Sequence, residues 1–188
     1  MHFSYDGLHR LVDIARGNLN GTYSAISSNK NFAEDWNLDA LGNWNTFQQD
    51  DDGNGSWDLS QLRTHNKANE ISTSTIQFSA ANVSHDAAGN MTKVPQPDNW
   101  SAHHDLTYDG WNRLVKVTDG AKTLAEFRYD GANRRIIKYD GPASSPTATY
   151  DYYYNTQWQT LEVRKNADTD PLEEFAWHPY YIDAIAVR

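Results

Sequence analysis

Oxygen-bearing side chains are crowded into one short acidic segment, residues 50–58, which reads DDDGNGSWD. Calcium takes about six to eight oxygen ligands, and calcium loops supply them at alternate positions around a glycine turn. The spacing therefore predicts a metal site in this segment. Its candidate ligands are Asp50, Asp52, Asn54, the carbonyl oxygen of Ser56, and Asp58.

The twelfth position of this pattern departs from a strong calcium loop. A bidentate glutamate is expected there, and the chain has Gln61, which offers one neutral oxygen. We therefore expect a weak, structural Ca²⁺ site with a dissociation constant of ~10⁻⁴–10⁻³ M. The alternative interpretation is an acidic, solvated hairpin tip that binds no metal.

The other polar residues give catalysis little support. The chain has no cysteine, and the adjacent His103 and His104 would point to opposite faces of a strand. Tyr-Asp pairs recur along the chain, whereas an acid–base pair of carboxylates is needed only once. We therefore assign these pairs to turns and expect a protein that is not an enzyme.

Seven tryptophans can either fill the faces of a sheet or stack on sugar rings. Trp36, Trp44 and Trp158 lie at or near the recurring turns, where a large ring would pack against the sheet. A surface adhesion module would have the same composition. An extracellular carbohydrate-binding or adhesion module, with glycans as partners, therefore stays open as the alternative function.

Composition narrows the class of protein. The formal net charge is −9, from 16 basic and 25 acidic residues, and no basic cluster occurs, so nucleic acid is a poor partner. No apolar run approaches the roughly 18 residues of a membrane span. Aromatic residues make up 13% of the chain, which favours a sheet-rich protein.

Internal repeats organise the chain. Residues 106–117 (LTYDGWNRLVKV) and 127–138 (FRYDGANRRIIK) share Tyr-Asp-Gly-x-Asn-Arg, and residues 3–14 (FSYDGLHRLVDI) have the same form. Looser copies occur at 36–47, 83–94 and 152–163, the last with Asn155 in place of the aspartate. We interpret residues 1–188 as a single repeat domain with an insertion at 48–82 that contains the acidic loop.

Each copy predicts a β-hairpin. The tyrosine ends one strand, Asp-Gly-x-Asn forms the turn, and the residues after the arginine begin the next strand. We expect an all-β fold of antiparallel hairpins in an open sheet or a partial β-solenoid or shell wall. The best helix candidate is 58–69. The residues assigned to the turns are Tyr5, Asp6, Tyr108, Asp109, Arg113, Tyr129, Asp130 and Arg134.

These copies resemble the YD repeat of the Rhs family, which includes bacterial wall-associated proteins, polymorphic toxins, the C components of Tc insecticidal toxins and, more distantly, teneurins. The copies at 3–14, 106–117 and 127–138 carry the resemblance. The closing stretch 175–188 looks like the segment that follows the last repeats of bacterial Rhs proteins.

The resemblance implies a large secreted or cell-surface bacterial protein whose repeats form a hollow β-shell around a C-terminal toxin or effector. The chain would be a structural fragment of that shell, with flanking YD repeats and the enclosed toxin as its partners. Some members of the family cut themselves near Asp-Pro-x-Gly. Here Asp170-Pro171 is followed by Leu172-Glu173, so no protease residue is carried over.

The chain begins and ends in strand-like sequence, which we interpret as the mark of a fragment cut from a longer spiral. Its first and last strands would then lack a neighbour on one side. Open sheet edges pair with other chains, so homo-oligomers are expected.

Overall fold

The computed structural model describes residues 1–76, 79–81, 83–179 and 184–187. Every regular element in these residues is a β-strand. No helix of the length and apolarity needed to cross a membrane occurs in them. The prediction of an all-β fold of antiparallel hairpins in open sheets is confirmed.

The first sheet has seven strands that follow one another in chain order. They are β1 (His2–Tyr5), β2 (Leu11–Leu19), β3 (Ile26–Leu38), β4 (Trp44–Asp50), β5 (Leu59–His65), β6 (Ile71–Ile76) and β7 (Ser79–Ala81). Each pairs antiparallel with the strand before it, so the sheet is a succession of hairpins.

The second sheet has nine strands, again in chain order. They are β8 (Ser84–His85), β9 (Met91–Gln96), β10 (Asn99–Tyr108), β11 (Leu114–Asp119), β12 (Lys122–Tyr129), β13 (Arg135–Asp140), β14 (Ala148–Tyr154), β15 (Thr160–Lys165) and β16 (Glu173–Glu174). Two short strands, β17 (Ala176–Trp177) and β18 (Ile185–Val187), form a separate pair.

The chain forms two compact units, Met1–His103 and His104–Arg188. The prediction of a single repeat domain over residues 1–188 stays a prediction. The closing stretch 175–188, which contributed to the family resemblance, lies partly outside the described residues because positions 180–183 and 188 are not among them.

Residues 58–69, the best helix candidate in a chain interpreted as all-β, contain a strand and a turn and no helix. Residues 59–65 form β5, which is hydrogen-bonded to β4 on one side and to β6 on the other, and residues 66–70 form a turn. Pairing on both edges satisfies the backbone of β5, whereas a helix here would leave β4 and β6 without a shared neighbour. The described strands of the segment 48–82, which was interpreted as an insertion, thus continue the same sheet.

Few apolar side chains are buried, and aromatic rings and cations cover much of the sheet faces. In the second unit Phe127 is only 8% exposed, and the Arg135 guanidinium lies 5.5 Å from its ring and 4.9 Å from that of Tyr152. Lys138 lies 5.0 Å from the ring of Tyr150. Such cation–ring contacts supplement the few apolar side chains that are buried among the described residues.

The first unit has its own aromatic cluster. The rings of Trp36, Trp44 and Phe47 lie 5.5–6.0 Å apart, with Trp36 and Trp44 arranged edge to face. The guanidinium of Arg63 lies 5.3 Å from the Trp44 ring, and burial lowers the pKa of Arg63. The cluster therefore fills the sheet face at β3, β4 and β5.

Candidate functional site: the capped turns and the acidic loop

The strands are joined at one end by a recurring five-residue turn, which we call the capped turn. It begins with Asp or Asn, and its first and fifth residues are joined through the backbone. The capped turns comprise residues 6–10, 39–43, 66–70, 86–90, 109–113, 130–134 and 155–159.

The side chain of the first residue satisfies the backbone donors of its own turn. One carboxylate oxygen of Asp130 accepts hydrogen bonds from the N–H groups of Ala132 and Arg134, both at 2.9 Å. The other accepts one from Arg134 Nε at 2.7 Å. The same three bonds recur at Asp6 and Asp109. The aspartate therefore closes the turn, as Asp side chains do when they bond backbone N–H groups two residues on.

These hydrogen bonds change the acidity of the caps. The side-chain hydrogen bond from Arg113 lowers the pKa of Asp109, against the opposing effect of burial. At Asp130 the backbone hydrogen bond from Arg134 lowers the pKa most, and burial again opposes it. Donors directed at a carboxylate favour its charged form, so both caps stay ionised at neutral pH.

The fourth residue of the capped turn has the left-handed backbone conformation. Its φ is +65° at Asn133, +59° at Asn112 and +89° at Gly42. The glycine of Tyr-Asp-Gly, by contrast, has no positive φ at Gly131 or Gly110. Asn and Gly both tolerate this conformation, which explains why either can stand fourth.

The fifth residue links its turn to the next one along the sheet. Besides bonding Asp109, Arg113 donates from Nη1 to the backbone oxygen of Asp130 at 3.3 Å and to Asn133 Oδ1 at 3.2 Å. Arg134 in turn donates to the backbone oxygen of Asn155 at 3.2 Å. One guanidinium thus closes one hairpin and holds its neighbour.

The tyrosine before the next cap completes this link. The Tyr129 ring lies 5.0 Å from the Arg113 guanidinium, and its hydroxyl donates to the backbone oxygen of Leu114 at 2.7 Å. Tyr154 repeats the arrangement with Arg134, at 5.4 Å, and with the backbone oxygen of Arg135, at 2.8 Å. We call this set of contacts, with arginine from one turn and tyrosine from the next, the lateral joint.

The first unit has simpler links of the same kind. Arg10 Nη1 donates to the backbone oxygen of Asp39 at 2.7 Å, and Leu38 stands where the tyrosine would be. Asn43 Nδ2 reaches Asn69 Oδ1 at 3.1 Å. The capped turns here are therefore connected through arginine or asparagine, without the tyrosine contacts.

Sequence reasoning missed the capped turn at residues 66–70. Asn66 Oδ1 accepts from the N–H groups of Ala68 and Glu70, and Asn69 has a φ of +62°. No tyrosine or arginine marks this copy. The one available signal was the Asn-x-x-Asn spacing, which matches Asp-x-x-Asn at Asp109 and Asp130.

The acidic loop joins β4 to β5 at the other end of the strands. The carboxylates of Asp50, Asp52 and Asp58 come within 4.8 Å of one another. Asn54 belongs to the same loop, donating to Asp52 Oδ2 at 2.9 Å, and Ser56 donates its N–H to Asn54 Oδ1 at 2.7 Å. The predicted ligand residues therefore share one loop, with three carboxylates in range of a single ion.

Asp50 is the anchor of this loop and is only 1% exposed. Its oxygens accept the N–H groups of Gly53 at 2.7 Å and Gly55 at 3.0 Å, and Lys30 Nζ lies 3.5 Å away. Burial raises the pKa of Asp50, but these hydrogen bonds and Lys30 outweigh it and lower the pKa overall. A Cβ at Gly53 would clash with the backbone oxygen of Lys30, so only glycine lets the loop approach β3 this closely.

Gln61, the twelfth position of the calcium pattern, lies away from the loop residues in β5. It pairs with Phe47, is 7% exposed and accepts a hydrogen bond from Arg63. The Gln61 side chain is thus engaged with the sheet, and the loop's remaining oxygens come from residues 50–58.

Two further carboxylates, which sequence reasoning missed, lie opposite each other on adjacent strands of the first unit. Asp13 on β2 is directly opposite Asp35 on β3. Burial, together with the charge of Asp13, raises the pKa of Asp35. Like charges directly opposite each other destabilise a sheet, so this pair weakens the fold at neutral pH.

Contacts with neighbouring side chains do not bury every tryptophan, since Trp111 is 75% exposed although a guanidinium lies beside its ring. Arg63 lies beside Trp44, Arg113 lies 5.1 Å from the Trp111 ring, and Trp177 Nε1 donates to Thr160 O. Trp158 is 58% exposed at the left-handed position of its turn.

No protein-family model and no curated protein matches the chain. Among solved structures, the crystal structure of TcdB2-TccC3 is similar over 85% of this chain and 9% of that chain, with 15% identity and a TM-score of 0.49. The structure of the Photorhabdus luminescens Tc holotoxin pore is similar over 87% of this chain and 11% of that chain, with 13% identity and a TM-score of 0.35. The chain spans about a tenth of the length of these solved chains.

Proposed function

We propose that this chain is a wall segment of a β-shell of the Rhs/YD-repeat type, secreted or displayed at a bacterial surface. The shell encloses a C-terminal toxin or effector, and the chain itself catalyses no reaction. The lateral joint carries this proposal, because a wall must resist opening between adjacent hairpins. Arg113 and Arg134 each hold two hairpins together with donors that reach both turns.

The wall of a container must also be stable without a hydrophobic core on its inner side, since cargo fills the enclosed space. The fold has this property, because backbone pairing, capped turns and cation–ring contacts hold the strands together. Flanking repeats and the enclosed polypeptide are the proposed partners. Calcium in residues 50–58 would brace the loop and take no part in a reaction.

The test uses this chain together with its adjoining coding segments, expressed as one protein. Protease should digest the segment after the repeats far more slowly than it digests the same segment expressed alone. Replacing Arg113 and Arg134 together by Gln should open the wall and speed that digestion. Arg128→Gln is the matched control, since among the described residues the Arg128 guanidinium contacts only Glu126, Tyr139 and the Phe127 carbonyl. Equal digestion rates with and without the repeats would refute the enclosing role.

The exposed ring of Trp158 favours one second candidate, an extracellular carbohydrate-binding or adhesion module. A glycan array tests it directly. Binding that is lost in Trp158→Ala and kept in Trp177→Phe would support this function, and an array without any bound glycan would refute it.

A further inference from the structure

We propose that the outer edge of β1, with Tyr5 and Asp6, is a half-built lateral joint that receives a β-hairpin whose capped turn ends in arginine. The proposal rests on the proposed role as a wall segment and names the chemistry of the adjoining piece. The partner is defined by its turn: Asp first, a left-handed Asn or Gly fourth, and Arg fifth.

The two complete joints of the second unit supply the template. In each, the arginine of one turn donates to the backbone oxygen of the next cap and lies against the ring of the tyrosine before that cap. The tyrosine hydroxyl donates back to the residue that follows the arginine. A joint therefore has an arginine half from the earlier hairpin and a tyrosine half from the later one.

Tyr5 and Asp6 form a tyrosine half. Tyr5 is 60% exposed, whereas Tyr129 and Tyr154 are half-buried in their joints. Within the described residues, the Tyr5 side chain has no hydrogen bond and no cation beside its ring. The backbone oxygen of Asp6 accepts the His9 N–H at 3.0 Å, while its counterpart at Asp39 also accepts an arginine.

The strand direction fits the same template. Tyr129 ends β12, and β12 pairs antiparallel with β11, the strand that begins immediately after Arg113. Tyr5 ends β1 in the same way, and β1 is the terminal strand of its sheet. The incoming hairpin would thus add its second strand antiparallel to β1, through the backbone groups of the open edge.

A second copy of this chain is a poor occupant, because its last capped turn has Gln159 in the arginine position. Gln159 bonds Asn155 within its own turn, and its short neutral amide carries no cation for the Tyr5 ring. Charge complementarity therefore favours an arginine-bearing hairpin from another segment.

A suitable probe is the chain's own hairpin, a peptide of residues 106–117 cyclised end to end so that the turn is preformed. Its binding to the fluorescently labelled 188-residue protein is measured at a dilution where light scattering shows a monomer. The Arg113→Gln peptide should bind at least about tenfold more weakly. Tyr5→Ala should weaken binding of the unmodified peptide to a similar extent. Tyr23→Ala is the matched control, because Tyr23 is also an exposed tyrosine, 76% against 60% for Tyr5, in the loop at the other end of β2.

The two substitutions act on one joint, so combining them should cost little more than either alone. No binding above that of a scrambled cyclic peptide, or binding that ignores both substitutions, would overturn the proposal. These outcomes are separable from the enclosing role. If the peptide binds but the cargo is digested at the same rate with and without the repeats, the shell is refuted and the joint stands. If the cargo is protected but the peptide does not bind, the joint is refuted and the shell stands.

Discussion

The pKa values of Asp35 and Asp130 are shifted in opposite directions by their surroundings. Burial and the facing charge of Asp13 raise the pKa of Asp35, whereas hydrogen bonds from Arg134 lower that of Asp130. The first carboxylate opposes the fold when it is charged, and the second supports it. Single substitutions should therefore separate the two effects.

Asp35→Asn should raise the melting temperature at pH 7 by roughly 1–3 °C, since it removes one of two facing charges. A raised pKa means that the wild type loses stability as pH rises above the unfolded value near ~3.9. The increase in melting temperature caused by Asp35→Asn should therefore vanish below about pH 3.5. Thermal melts followed by circular dichroism across this range would check it, and a gain that persists at pH 3 would contradict the electrostatic cause.

Calcium should stabilise the protein through the acidic loop. At about 10 mM Ca²⁺, a site with a dissociation constant near ~1 mM should raise the melting temperature by roughly 3–6 °C. Asp52→Asn should remove most of the shift, and Asp170→Asn, in a different exposed loop, should leave it unchanged. No shift in the wild type, together with no heat in a calorimetric titration, would show that the loop closes without metal.

At the scale of elements, the capped turn sets where each hairpin reverses. Its requirements are an oxygen-bearing first residue, a fourth residue that accepts positive φ and, where turns are joined, an arginine fifth. The glycine of Tyr-Asp-Gly lies in none of these positions. Its role can therefore be tested against that of a glycine in the fourth position.

Gly42→Ala should destabilise the protein by about 1–2 kcal/mol, because alanine is strained at a φ of +89°. Gly131→Ala should instead stabilise it by about 0.4–1 kcal/mol, since alanine restricts the unfolded chain without strain in the fold. An added Cβ meets no atom closer than 3.8 Å at either position, so backbone conformation alone separates them. Urea unfolding would measure both, and equal effects would contradict the assignment.

Sequence reasoning found the elements whose signals are local. The recurring Tyr-Asp-Gly-x-Asn-Arg predicted hairpins, and Asn155, which stands in the aspartate position of the copy at 152–163, caps its turn. The turn at Asn66 was missed because a hairpin there needs no arginine or tyrosine. The lateral joints were also missed, since their partners lie about 20 residues apart and only strand pairing brings Arg113 to Asp130. The facing pair Asp13 and Asp35 depends on register in the same way.

Across the whole molecule, the capping aspartates should govern stability in acid. Those with a lowered pKa are Asp6, Asp39, Asp86, Asp109 and Asp130. Lowered values mean that their contribution is present above about pH 4 and is lost as pH falls through the folded pKa values.

The melting temperature should therefore fall steeply between about pH 4 and pH 2. Asp130→Asn should weaken this dependence, because asparagine already caps the turns at Asn66 and Asn155 and does not titrate. Melts at constant ionic strength would show it. A melting temperature that rises on acidification would mean that carboxyls with a raised pKa, such as Glu34 and Asp35, determine the pH dependence of stability instead.

Open sheet edges should also make the isolated chain self-associate. No described strand pairs with the outer edge of β1, and no joint specifies a contact there, so the association should be weak and concentration-dependent. Light scattering after size exclusion should give a mass that rises above 21.4 kDa with concentration. The cyclic peptide of residues 106–117 should reduce it, and a strict monomer at high concentration would contradict the prediction.

Each lateral joint uses groups from two consecutive turns and nothing further away. A duplicated or deleted hairpin therefore brings or removes one complete joint and leaves the others unchanged. Two strands widen a sheet by about 10 Å, so the width of the sheet grows in fixed steps with the length of the gene. Recombination between the repeats can therefore change the size of the sheet without a new core having to evolve.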